Sequence, residues 1–127
     1  MRVLIVEDIP LLRLTYEEFV ADLGHTVISV GDGLAALAVL RAEPVDVMVT
    51  DLHMPRLDGY ELLRIVVVEF PAVVCIIASA FTQETAAARL GPILNRLAGL
   101  LQKPFPFSAL ERVLVDAERR LALGDAA

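Results

Sequence analysis

Residues 46–59 read Asp46-Val47-Met48-Val49-Thr50-Asp51-Leu52-His53-Met54-Pro55-Arg56-Leu57-Asp58-Gly59. A short apolar run delivers an aspartate, Asp51, into a segment punctuated by proline and glycine, after which the chain turns apolar again over 60–70. Within that second stretch Ile65-Val66-Val67-Val68 is β-branched and suits a strand by propensity alone. Its place in the chain decides for helix, because on both sides of it short apolar runs alternate with longer amphipathic segments. That alternation is the pattern of a parallel sheet covered by helices on both faces.

Working outward, strands are expected over 3–6, 26–30, 46–50, 73–78 and 99–101, the last being the shortest. Leu12, Tyr16, Phe19, Val20 and Leu23 recur at helical spacing, with Gly24 as a C-terminal cap. Leu34, Leu37 and Ala38 mark a second helix that ends before Pro44, and Phe107, Leu110, Val113, Leu114, Ala117 and Leu121 a last one ending near Gly124. Gly91-Pro92 should break the fourth helix. Beyond that break, Leu94, Leu97 and Leu101 are expected in the core. Four consecutive apolar residues cannot all face one sheet, so part of 65–68 is expected to be exposed or covered by a partner.

Composition narrows the classes. A chain of 127 residues suits one domain over 1–127, without an output domain. A hydrophobic fraction of 57% excludes disorder, while no apolar run reaches the roughly eighteen residues of a membrane span. The acidic residues that follow Val6 do not suit a signal peptide, and Cys75, within Val73-Val74-Cys75-Ile76-Ile77, reads as a buried inert thiol. A cytoplasmic protein is expected. A net charge of −6 without a basic run disfavours direct nucleic-acid binding.

In an open parallel sheet, ligands bind beyond the carboxyl ends of the strands. Those ends carry Glu7-Asp8, Asp51, Ser79 and Lys103-Pro104. Singly, each has a plain explanation: Asp8 could cap the helix begun by Pro10, and Asp51 could start a turn. Jointly, three converging carboxylates repel unless a cation offsets them, and a hard oxygen-ligand ion such as Mg²⁺ fits better than zinc, which favours thiolates and paired histidines. An aspartate can accept a phosphoryl group when charge on that group is neutralised. Lys103, the one lysine of the chain, supplies an ammonium and Ser79 a hydroxyl donor.

The segments Leu4-Ile5-Val6-Glu7-Asp8, Val49 through Gly59, Ala78-Ser79-Ala80 and Lys103-Pro104-Phe105 together resemble the receiver domain of two-component response regulators, over nearly the whole chain. The resemblance implies a flavodoxin-like, doubly wound α/β fold with five parallel strands in the order 2-1-3-4-5 and five helices. It implies phosphorylation of Asp51 by a histidine kinase or phosphotransfer protein. It further implies Mg²⁺, with Mn²⁺ as an alternative, ligated by Asp8, Asp51 and the backbone carbonyl of His53, with Glu7 acting through water. A cis bond before Pro104 is implied too.

One position and one region depart from the family pattern. Leu100 stands three residues before the lysine, where receivers usually carry a switch aromatic that turns inward as the Ser79 hydroxyl is drawn to the phosphoryl group. The region of the fourth helix and fifth strand is expected to be unusual in shape. His53 is a candidate modulator of water attack on the phosphoaspartate, weighed against a plain exposed loop histidine; His25 is given no role. The expected function is a stand-alone receiver, without enzymatic turnover, that works through an unknown downstream protein or a homodimer. The alternatives are a receiver piece of a longer regulator or hybrid kinase, and a phosphoaspartate-forming phosphatase. The last is disfavoured because His53 stands where a haloacid dehalogenase-type enzyme carries its acid.

Overall fold

In the computed structural model, which describes residues 1–124, β1 (Arg2–Val6), β2 (Thr26–Val30), β3 (Val47–Thr50), β4 (Val74–Ser79) and β5 (Leu97–Gln102) form one sheet in the order β2-β1-β3-β4-β5. Every pairing is parallel. Between the strands lie α1 (Pro10–Asp22), α2 (Gly33–Ala42), α3 (Gly59–Glu69) and α4 (Gln83–Leu90), and α5 (Phe107–Ala122) closes the chain. Strand order reverses between β1 and β3, the switch point at which this class of sheet forms its crevice.

The sheet is buried on both faces, so alternate residues of each strand feed two separate cores. Leu4, Val6, Met48, Cys75 and Ile77 join α2 and α3 residues such as Leu40, Leu63 and Val66 on one face. Val3, Ile5, Val47, Val49 and Ile76 join Tyr16 and Val20 of α1 and Leu110 and Leu114 of α5 on the other. This explains why strands written as continuous Val/Ile/Leu runs carry no polar alternation. It also settles 65–68: wrapped as a helix, Val66 is buried and Ile65 and Val67 half-buried, and only Val68, at 77% exposure, faces out.

The strands and helices sit where the pattern places them, with two shifts worth a reason. The fifth strand is not the shortest; it spans six residues, as β4 does. Its pairing slips at one point, Cys75 facing Leu97 and Ile76 facing Gly99, so Ala98 is bulged and the ladder regains length that the apolar pattern hides. Asp46 lies just before β3, where its amide donates to the Arg2 carbonyl at 2.9 Å, its carbonyl accepts the Val74 amide at 3.0 Å and its Oδ2 accepts the Arg2 amide at 2.8 Å.

As the Gly91-Pro92 pair requires, α4 stops at Leu90, and Gly91 takes a φ of +56°, which glycine tolerates without a Cβ penalty. A single 3-10 segment, Gly91–Arg96, follows and leads into β5. Leu97 and Leu101 are buried, and Leu94 packs against the α2/α3 core while half-exposed. The peptide bond between Lys103 and Pro104 is cis. Among the described residues, no helix is long and apolar enough to cross a membrane.

Candidate functional site

The ladders continue one step past the strand ends, and this builds the site. The Glu7 amide donates to the Val30 carbonyl at 3.0 Å, the Asp51 amide to Val6 at 3.0 Å and the Lys103 amide to Ser79 at 2.8 Å. Glu7, Asp51, Ser79 and Lys103 are therefore fixed side by side along one sheet edge by backbone hydrogen bonds, before any side chain makes a contact. Asp8 follows Glu7 into the β1–α1 turn. It does not cap α1: that cap is Ile9, extended and without a side-chain hydrogen bond, with Pro10 as the first helical residue. The capping explanation of Asp8 thus fails, and the carboxylate is left for the crevice.

Glu7, Asp8 and Asp51 each present a carboxylate oxygen within 4.8 Å of the others. Glu7 and Asp51 are buried, and Asp8 is half-exposed. Among the described residues, the cation paired with these carboxylates is Lys103, whose Nζ lies 2.5 Å from Glu7 Oε1 and 2.9 Å from Asp51 Oδ2. One ammonium cannot offset three carboxylates, and the donors are all hard oxygens, so the cluster fits a divalent cation of the Mg²⁺ type.

Asp51 Oδ1 accepts the Ser79 hydroxyl at 2.5 Å and the amides of Leu52 and His53 at 2.6 and 3.1 Å. The turn reading of Asp51 is therefore real, and it coexists with the site. Burial pushes the Asp51 carboxyl upward, but the hydrogen bonds from Ser79, Lys103 and His53 outweigh it and hold the group below its ordinary value. Asp51 is accordingly an anion at neutral pH. For Glu7, burial prevails over the Lys103 and Ile9 hydrogen bonds and raises the carboxyl. Burial would lower Lys103, yet its bonds to Glu7 and Asp51 prevail and raise it, so the ammonium stays charged.

Every acidic, hydroxyl and ammonium group expected at the strand ends is brought together here. The His53 ring is exposed, edge-on to Tyr60 at 6.2 Å between centroids, and it lines a cavity of about 380 Å³ with Ala80, Phe81, Thr82, Gln102 and Lys103. It is thus both a loop histidine and a residue at the mouth of the site. Leu100 is half-buried against the α2/α3 core, which includes Tyr60, Ile77 and Phe81. Thr82, which caps α4 through the Thr85 amide at 3.0 Å, went unread, although a threonine before Gln83-Glu84-Thr85 is a recognisable cap. So did Arg13, whose guanidinium donates to the Glu7 carbonyl at 3.0 Å; no local motif announces that contact.

Comparison with known proteins agrees with this geometry. A family model described as response regulator receiver domain matches residues 3–115. The chain is 32% identical over 123 residues to the response regulator protein FleR of Pseudomonas aeruginosa, covering 97% of this chain and 25% of that protein. It is likewise 32% identical over 123 residues to the sensor histidine kinase RcsC of Salmonella typhi, covering 94% of this chain and 12% of that one. The chain thus spans a quarter or less of these relatives. Among solved structures, a Francisella response regulator receiver domain superposes with a TM-score of 0.81 at 28% identity, over 93% of this chain and 97% of that one. A receiver domain protein from Clostridium thermocellum gives a TM-score of 0.85 at 21% identity, over 96% and 97% of the two chains.

Proposed function

The chain belongs to the response regulator receiver family, and on that premise we propose that Asp51 is its phosphoryl acceptor, charged from the phosphohistidine of a histidine kinase or phosphotransfer protein. The observation that carries this reading is the pairing of a buried Asp51 with Lys103 at 2.9 Å inside a cluster of three carboxylates. In the transfer, the bond from phosphorus to the donor's imidazole nitrogen breaks as a bond to an Asp51 carboxylate oxygen forms. Lys103 offsets charge on the phosphoryl oxygens, and the Ser79 hydroxyl, released from Asp51 Oδ1, donates to one of them. Asp8, Asp51, the His53 carbonyl and, through water, Glu7 would hold Mg²⁺, which supplies a second positive charge and an in-line template when bound. His53, at the mouth of the cavity, modulates the approach of water to the acyl phosphate.

No turnover reaction is assigned: the group on Asp51 is the signal, read by a downstream protein or by a second copy of the chain in the cytoplasm. With Leu100 in place of an aromatic, the inward movement of Ser79 has no polar ring to draw with it, so the signal is relayed by repacking around Leu100 and Phe81.

The test is intact-mass measurement after incubation with acetyl phosphate, with and without Mg²⁺. Wild type should gain the mass of one phosphoryl group only when the metal is present, and Asp51→Asn none. Equal labelling of Asp51→Asn would remove Asp51 from the mechanism.

A further inference from the structure

The loop from Asp51 to Asp58 is pinned at both ends. Upstream, Asp51 Oδ1 accepts the amides of Leu52 and His53; downstream, the Gly59 amide donates to the Leu52 carbonyl at 2.9 Å and Asp58 caps α3 through the Glu61 amide. Its middle is held from outside. Arg56 has a φ of +67°, in the left-handed region where a side chain is unfavourable and which persists only when surroundings impose it. The Arg56 guanidinium reaches across to Asp32, with Nε 3.1 Å from Oδ2 and a terminal nitrogen closer still on the same oxygen.

Asp32 is itself fixed. It is buried, and its Oδ1 caps α2 by accepting the Ala35 amide at 2.8 Å, which leaves Oδ2 for the arginine. The Ala35 amide and the Arg56 guanidinium hold the Asp32 carboxyl below its ordinary value. Beside it, a Cβ on Gly33 would stand 2.3 Å from the Leu57 carbonyl oxygen, so the loop presses directly on the first turn of α2. Exposed ion pairs are usually weak. Here the arginine is exposed, but the acid is buried and anchored, and two N–H groups of one guanidinium converge on a single carboxylate oxygen in charge-assisted hydrogen bonds.

We propose that Asp32 and Arg56 form a latch that references this loop to α2 and so sets the affinity of the acidic cluster for a divalent cation; both are positioning residues of that site. The proposal rests on reading Glu7, Asp8 and Asp51 as a cation site. The loop between the latch and the cluster carries His53, whose amide holds Asp51 Oδ1 at 3.1 Å. A loop released at Arg56 lets that amide, and the carboxylate it orients, drift from the arrangement a small cation demands.

The experiment titrates each protein with Mn²⁺, reading free ion by electron paramagnetic resonance, and then displaces it with Mg²⁺. Arg56→Ala and Asp32→Asn should each weaken binding by roughly 10-fold, the scale of outer partners of metal ligands. Asparagine keeps the cap of α2, so Asp32→Asn remains folded, as circular dichroism will check. The double variant should be no weaker than either single one, because both remove the same contact. Arg56→Gly relieves the positive φ without restoring the guanidinium, and should show the same loss. Affinities of Arg56→Ala and Asp32→Asn within about twofold of wild type, multiplied losses in the double variant, or full affinity in Arg56→Gly would each overturn the latch. Wild type that binds ion, with binding lost in Asp8→Asn but not in Asp32→Asn, defeats the latch and leaves the site standing; wild type that binds none defeats both.

Discussion

Replacing Lys103 by methionine keeps most of the apolar stem and removes the ammonium, with its charge and its hydrogen bonds to Glu7 and Asp51. In the native site the side chains of Lys103, Glu7 and Asp51 are 16%, 2% and 8% exposed, so water screens the two acids poorly. Without the ammonium, two carboxylate oxygens no more than 4.8 Å apart face each other. At an effective dielectric constant of about 20 their repulsion is about 3.5 kcal/mol, which raises the carboxyl of whichever acid yields. That acid then titrates in the folded protein well above its unfolded value. The sign follows: in wild type Asp51 is held low, so it contributes stability above its ordinary value, and that stability is lost as pH falls through the lowered folded value. Glu7, raised by burial, already favours the folded state when protonated; in Lys103→Met both acids lose the hydrogen bond that lowers them, and protonation favours the folded state more strongly. Urea unfolding at pH 7.5 should show a loss of about 2–3 kcal/mol, shrinking as pH is lowered toward about 5, and saturating Mg²⁺ should restore more stability to the variant than to wild type. A loss below about 1 kcal/mol at pH 7.5, or one independent of pH, would refute the electrostatic account of the site.

Three further outcomes follow from contacts elsewhere. A Cβ on Gly59 would stand 2.1 Å from the Asp51 carbonyl oxygen, so Gly59→Ala should destabilise the fold by roughly 1–3 kcal/mol in chemical denaturation and slow labelling of Asp51 by acetyl phosphate. The Tyr60 hydroxyl is the one buried side-chain polar atom among the described residues without a hydrogen-bond partner, so Tyr60→Phe should be neutral or stabilising by up to about 1 kcal/mol in thermal unfolding, whereas loss of stability would reveal a partner. Burial pushes the Cys75 thiol up to about 12, so the native protein should resist a thiol reagent at pH 8 and react at the ordinary rate only in denaturant.

The alternation of apolar runs and amphipathic segments determined a parallel sheet with its helices, and the polar residues at the strand ends determined the candidate site. Both follow from short-range rules: a strand buried on two faces is written as continuous Val, Ile and Leu, and its end is where a polar side chain first becomes tolerable. Residues 65–68, strand-like by propensity, became helix because α3 buries Val66 while only Val68 pays the exposure. The length of β5 was hidden because the bulge at Ala98 shifts its register against β4, a relation between two strands that neither strand's own pattern encodes.

Tertiary structure alone decided how the charges are shared. That Lys103 meets Glu7 as well as Asp51, that Asp51 Oδ1 takes the Ser79 hydroxyl, and that Asp32 holds Arg56 across 24 positions of chain are matters of distance between residues far apart in sequence. Residue type fixes which groups carry charge; how much each charge is worth depends on burial and on partners that only folding brings within a few ångströms.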